Sequence, residues 1–128
     1  MTDIQISAAI LAGIAVLVSV FQIALAAGAP WGEWAFGGQN KGTLPRNLRA
    51  SSAISLVVYG VQIAHFGSRA GWWAPPFGES VGSVLDWVFV AFFALGTVMN
   101  GISRSAKERY TWTPVVLVSL VCALWVVL

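Results

Sequence analysis

Asp86 and His65 are the first residues of interest, because ionisable groups at membrane depth are costly and are functional suspects in a chain this apolar. A carboxylate beside an imidazole can exchange a proton or hold an ion. Asp86 is the one acid near the interior of a long apolar run, and His65 is the single histidine. Two readings of Asp86 stand. Ser83-Val84-Leu85-Asp86 has capping-box-like spacing at a helix start, where an acid also favours the positive helix end. Alternatively, Asp86 is a buried ion-binding or proton-exchanging group. His65 is either an exposed interfacial side chain near a helix C-terminus or the partner of Asp86 at similar depth, with Gln62 adjacent.

Other polar residues recur at helical spacing. Ser19 and Gln22 share one face, as do Ser52, Ser55, Tyr59 and Gln62 on a second helix. Asp86, Thr97 and Asn100 fall on one broad face of a third, with Phe93 between them. Lipid offers no hydrogen bonds, so such faces point inward or toward a partner. They serve either as interhelical hydrogen-bond contacts or as a narrow polar cavity for a small solute. Gln22, Tyr59, Gln62, His65, Asp86 and Asn100 are the candidate binding residues. Gly60, Gly82 and Gly96 suit close helix contact or a hinge. No nucleophile–His–acid grouping and no paired acids have recognisable spacing, so no catalytic residue is assigned. With one cysteine, Cys122, and one histidine, neither an intrachain disulfide nor a metal site of the usual spacing is expected, and no cofactor is implied.

The elements that carry these residues follow from composition. Of 128 residues, 58% are hydrophobic and 9% charged, against about 25% charged in soluble domains. A soluble fold this small would leave too much apolar surface exposed. A spanning helix needs about 20 apolar residues, and four stretches qualify: Ile6 to Ala27, Pro45 to Phe66, Ser83 to Asn100, and Thr113-Pro114 to Leu128. The fourth is short, roughly 25 Å at 1.5 Å per residue, and needs local thinning or anchoring by Trp112. It is also the most apolar, and is expected to face lipid or a second subunit. Ala24-Leu25-Ala26 looks like a signal-peptide cleavage site, but the run is long and is preceded by Asp3 without Lys or Arg, so a retained span is expected.

Lys and Arg placement orients the chain. Lys41, Arg46 and Arg49 follow the first span, and Arg104, Lys107 and Arg109 follow the third. The opposite side has Arg69, with Asp3 and Glu79. The expected architecture is all-α: one domain, residues 1–128, of four transmembrane helices in an up-down antiparallel bundle. Loops 1 and 3 are then cytoplasmic and both termini outside. Trp72-Trp73-Ala74-Pro75-Pro76-Phe77 forms an interfacial outer loop.

Loop 1, GAPWGEWAFGGQNKGTLPRNLR, combines rigid and permissive residues. Trp31, Trp34 and Phe36 suit the membrane–water boundary, and Pro30 and Pro45 fix entry and exit. An ordered, partly re-entrant cap is expected. Glu33, the one acid in this loop, is expected to pair with Arg46, Arg49, Arg104 or Arg109. The plain role is packing under the bundle. The sharper role is a site for an anionic lipid headgroup or small anion, built from glycine N–H groups, Lys41 and Arg46. The glycines match neither Walker nor dinucleotide spacing, and no nucleic-acid partner is expected.

Gly28-Ala29-Pro30-Trp31-Gly32, Gly37-Gly38 and Gly42-x-Leu44-Pro45-x-x-Leu48-Arg49 form one block. Met99-Asn100-x-Ile102-Ser103-Arg104-Ser105 with Glu108-Arg109-Tyr110-x-Trp112-x-Pro114-Val115 forms another. Together they resemble a pattern in an uncharacterised family of small bacterial four-span membrane proteins. The resemblance implies a bacterial cell membrane and an ordered cytoplasmic face, and no activity. Three classes follow. The first is a binding or interaction protein whose cytoplasmic face contacts lipid headgroups or a partner protein. The second is a small-solute transporter or channel using Gln22, Tyr59, Gln62 and Asp86. The third, a lipid-acting enzyme, has least support. A homo-oligomer, or assembly with another membrane protein, is expected because one small bundle makes a poor pore.

Overall fold

The computed structural model describes all 128 residues. It is all-helical: α1 (Asp3–Ala27), α2 (Arg46–Arg69), α3 (Gly78–Gly101) and α4 (Ala106–Val127), with two short 3-10 turns, Gly32–Trp34 and Phe36–Gly38, in loop 1. All four α-helices are long and apolar enough to cross a membrane.

Local chemistry sets the helix ends. Thr2 caps α1: its side chain accepts from the Gln5 N–H while the Gln5 side chain accepts from the Thr2 N–H. This reciprocal bonding satisfies two donors that the first helical turn leaves open. Gly28 ends α1 at φ 103°, a left-handed conformation that residues with a Cβ resist.

Two helices begin earlier than the apolar runs suggested. α4 starts at Ala106 rather than Thr113, because Ser105 accepts from the Glu108 N–H and closes the first turn. Pro114 therefore lies inside the helix. The 22 residues of α4 reach about 33 Å, so no thinning is needed. α3 starts at Gly78, directly after the Pro75-Pro76 turn. Asp86 is thus in its third turn, and the capping reading is overturned.

The order of packing also differs from expectation. α1 lies along α2, and α4 packs against both α1 and α3, whereas the α2 and α3 backbones approach closely at few points. α4 exposes Leu117, Val118, Val121 and Trp125, as expected of a helix facing lipid or a second subunit, and meets its two neighbours through the buried Ser119, Cys122 and Ala123. Small residues permit this, since Ala8, Ala12 and Ala15 of α1 are at most 1% exposed. The main core joins Leu11, Ala12, Phe66, Phe89, Phe93, Cys122 and Ala123. Leu25, Ala35 and Leu44 form a second cluster that pins loop 1 to the ends of α1 and α2. Ile54, Val84 and Leu95 point outward, the arrangement an apolar solvent favours.

The hydroxyl stripes do not bond across helices. Ser19, Thr97 and Ser119 donate to carbonyls four residues back on their own helices, and Ser55 to Ser52. This self-satisfaction is the ordinary fate of hydroxyls within helices. Gly82 and Gly96 do mark close helix contact, with Arg69 and Val116 respectively, while Gly60 faces open space.

Candidate functional site

His65 and Asp86 meet. His65 Nε2 lies 2.6 Å from Asp86 Oδ1, and His65 is 2% exposed, so the exposed interfacial reading gives way to the pair. Arg69 completes the cluster. Its Nε donates to Asp86 Oδ1 at 3.2 Å and its Nη2 to Oδ2 at 3.0 Å, a forked contact that fixes the carboxylate plane. Arg69 also approaches Glu79 at 3.6 Å. The absence of a side chain at Gly82 lets the guanidinium reach α3. Arg69 was counted only as a loop charge; its position one turn beyond His65 was the signal that places both on one face.

Further along the bundle is a cavity of about 240 Å³. Gln22, Tyr59, Gln62 and Asn100 line it, while His65 and Asp86 do not. The proposed polar seam is thus divided: Phe66, Phe89 and Phe93 pack between α2 and α3 beside the ionic cluster. Asn100 bonds back to the Gly96 carbonyl. Gln22 Oε1 and Gln62 Nε2 are buried without hydrogen-bond partners. Trp112 lines the same cavity. Its ring packs on Phe21 and its Nε1 donates to the Trp34 carbonyl at 2.8 Å.

Loop 1 closes one end of the cavity with Trp34, Ala35 and Phe36. Its ties run to the start of α4. Ser105 Oγ donates to the Glu33 carbonyl, and Glu108 Oε2 accepts from the Gly37 N–H at 3.2 Å. Glu33 pairs with Lys107 at 3.0 Å, not with any of the four arginines expected. Lys107 also sits 4.5 Å from the centre of the Trp34 ring, a cation–π distance. Trp31 stacks on Phe21.

Arg49 and Arg109 are spent on carbonyl groups, of Ala26 and Ser103 respectively. Lys41, Arg46 and Arg104 are exposed and enter none of the ion pairs. Lys41, Arg104 and Lys107 border a shallow basin with Gly37 and Gly38; Arg46 lies outside it. The N–H groups of Gly32, Gly37 and Gly38 already bond within the protein, so the basin's anion-binding capacity rests on side chains. No grouping of His, Cys, Asp and Glu has metal-site geometry.

Comparison of the chain with protein-family models, curated proteins and solved structures gives no match.

Proposed function

We propose that this chain is a four-span protein of a bacterial cytoplasmic membrane that binds anionic lipid headgroups at its loop 1–loop 3 face. In this reading the helices run up and down as antiparallel neighbours, both termini lie outside, and loops 1 and 3 are cytoplasmic. The two sequence blocks that carry the family resemblance belong to one unit, supported by their contacts through Glu33–Ser105, Gly37–Glu108 and Trp34–Trp112.

The carrying observation is the basin in which Lys41 and Arg104 remain exposed and unpaired. The acids at its rim are engaged within it, Glu33 by Lys107 and Glu108 by the Gly37 N–H. Cations near the inner leaflet gain about 1 kcal/mol each from its negative potential. The transport alternative has weaker support, because Asp86 is clamped by Arg69 and His65 away from the cavity.

The test is native mass spectrometry of protein purified from mixed nanodiscs of phosphatidylglycerol and phosphatidylcholine. Wild-type protein retains phosphatidylglycerol preferentially, and the Lys41→Gln/Arg104→Gln variant loses the preference. Equal retention by both proteins rejects the headgroup site. The same spectrum gives the subunit count, with a homo-oligomer expected.

A further inference from the structure

The cavity beneath loop 1 is walled by two glutamines whose amides the protein leaves incompletely bonded. Gln22 on α1 and Gln62 on α2 both line it. Gln22 Oε1, an acceptor, and Gln62 Nε2, a donor, are buried with no partner, and Gln62 as a whole is 2% exposed. Leaving such groups unpaired is expensive, and more so where no bulk water reaches. Each amide carries both a donor and an acceptor, so the pair suits a molecule with a hydroxyl or amide group of its own.

The remaining wall describes the rest of that molecule. Thirteen of the 19 lining residues are hydrophobic, with Trp34 and Trp112 among the aromatic ones. No cationic side chain lines the cavity, which disfavours an anion. The single carboxylate, Glu108, is already committed to the Gly37 N–H. The volume, about 240 Å³, equals roughly eight waters at about 30 Å³ each. That is below the ~300–1,000 Å³ of sites for drug-sized ligands, so a single ring with one substituent fits and a whole lipid does not.

We infer that this cavity binds a small uncharged molecule carrying a hydroxyl or primary amide on an apolar ring. The Gln22 and Gln62 amides hydrogen-bond its polar group. Tyr59 of α2 and Phe92 of α3 also line the cavity. The site is distinct from the headgroup basin and does not depend on it. The two share a wall of Phe36, Asn100 and Glu108, and Phe36 is held at φ 50°, an uncommon conformation for a bulky side chain.

The test uses the full chain in phosphatidylcholine nanodiscs, followed by ¹⁹F NMR of 4-fluorobenzyl alcohol and 4-fluorotoluene. The two probes share a ring and differ by the hydroxyl. Saturable binding of the alcohol is expected, with the toluene about tenfold weaker. Gln22→Leu and Gln62→Leu each weaken alcohol binding roughly three- to tenfold and leave the toluene no weaker. Competition in the wild-type protein needs no variant: unlabelled benzyl alcohol displaces the fluorinated alcohol, and toluene does so only at much higher concentration. Three results overturn the proposal: partition without saturation, equal affinity for the two probes, or alcohol binding that both glutamine variants leave unchanged. A cavity that holds water alone gives the first of these.

Discussion

His65 Nε2 and Asp86 Oδ1 stand 2.6 Å apart, joining α2 to α3 where their backbones otherwise approach closely at few points. Arg69 holds the same carboxylate from one turn further along α2. The connection between the two helices at this end is therefore electrostatic, reinforced by the aromatic contacts of Phe66 with Phe89 and Phe93. Removing one member strands the others, and in a poorly hydrated setting that costs more than the intact cluster contributes.

Asp86→Asn accordingly destabilises the fold by roughly 2–4 kcal/mol, since Arg69 loses its countercharge. Ser83→Ala changes stability by less than about 0.5 kcal/mol, because Ser83 is exposed within α3 and caps nothing. Reversible unfolding in mixed micelles measures both. A Ser83→Ala cost matching that of Asp86→Asn would restore the capping role.

Gly67 is the seat of the loop between α2 and α3. Trp73 lies so close that a Cβ at position 67 would overlap its ring, and its Nε1 donates to the Ala64 carbonyl at 2.7 Å. Gly67→Ala must expel the indole, at about 1–3 kcal/mol of overpacking and a lost hydrogen bond. Tryptophan emission should shift to the red as Trp73 leaves its seat. In a Trp73→Leu background the same alanine should cost clearly less. Equal costs in the two backgrounds would mean that the ring does not set the glycine.

The four apolar runs and the His65–Asp86 proximity were legible because each follows from a strong, local rule: about 20 apolar residues for a span, and a short loop for equal depth. The ends of α3 and α4 were harder. Lys107 and Arg109 read as loop charges, although Ser105-Ala106-Lys107-Glu108 has capping-box spacing. That box is only half made, because the Glu108 side chain turns to Gly37. Glu33 was assigned to an arginine because charge alone cannot choose among cations on one face; Lys107 wins by lying beside Trp34. The contact of α4 with both α1 and α3 was hidden because an apolar helix reads alike whether protein or lipid surrounds it. The unmet amide atoms of Gln22 and Gln62 depend on packing between helices distant in sequence, and no spacing rule reports that.

Glu108 links loop 1 to α4 through one backbone N–H and is 8% exposed. Glu108→Ala removes the acceptor for Gly37 and should loosen the Phe36–Gly38 turn, at roughly 1–3 kcal/mol. Glu108→Gln retains an acceptor oxygen and should preserve most of the contact. Limited proteolysis within residues 36–42 reads the difference: faster cutting in the alanine variant, near-native protection with glutamine. Identical cutting in both would show that the carboxylate does not order the turn.

Threading across the membrane is tested by reaction of single cysteines with an impermeant maleimide in intact cells. Cys122 is buried, 8% exposed, and should stay silent as a background thiol; a Cys122→Ser background removes it altogether. Lys41→Cys and Ala106→Cys lie on exposed positions of the loop 1–loop 3 face, so both should label only after the cells are permeabilised. Ala74→Cys, in the exposed turn between α2 and α3, should label at once. The contrast follows from the cationic residues of loops 1 and 3, which favour the cytoplasmic side. Prompt labelling at position 41 or 106, with position 74 protected, would invert the orientation and with it place the headgroup basin on the outer leaflet. Labelling at 41 and 74 alike would mean that the first hairpin does not cross the bilayer as two spans.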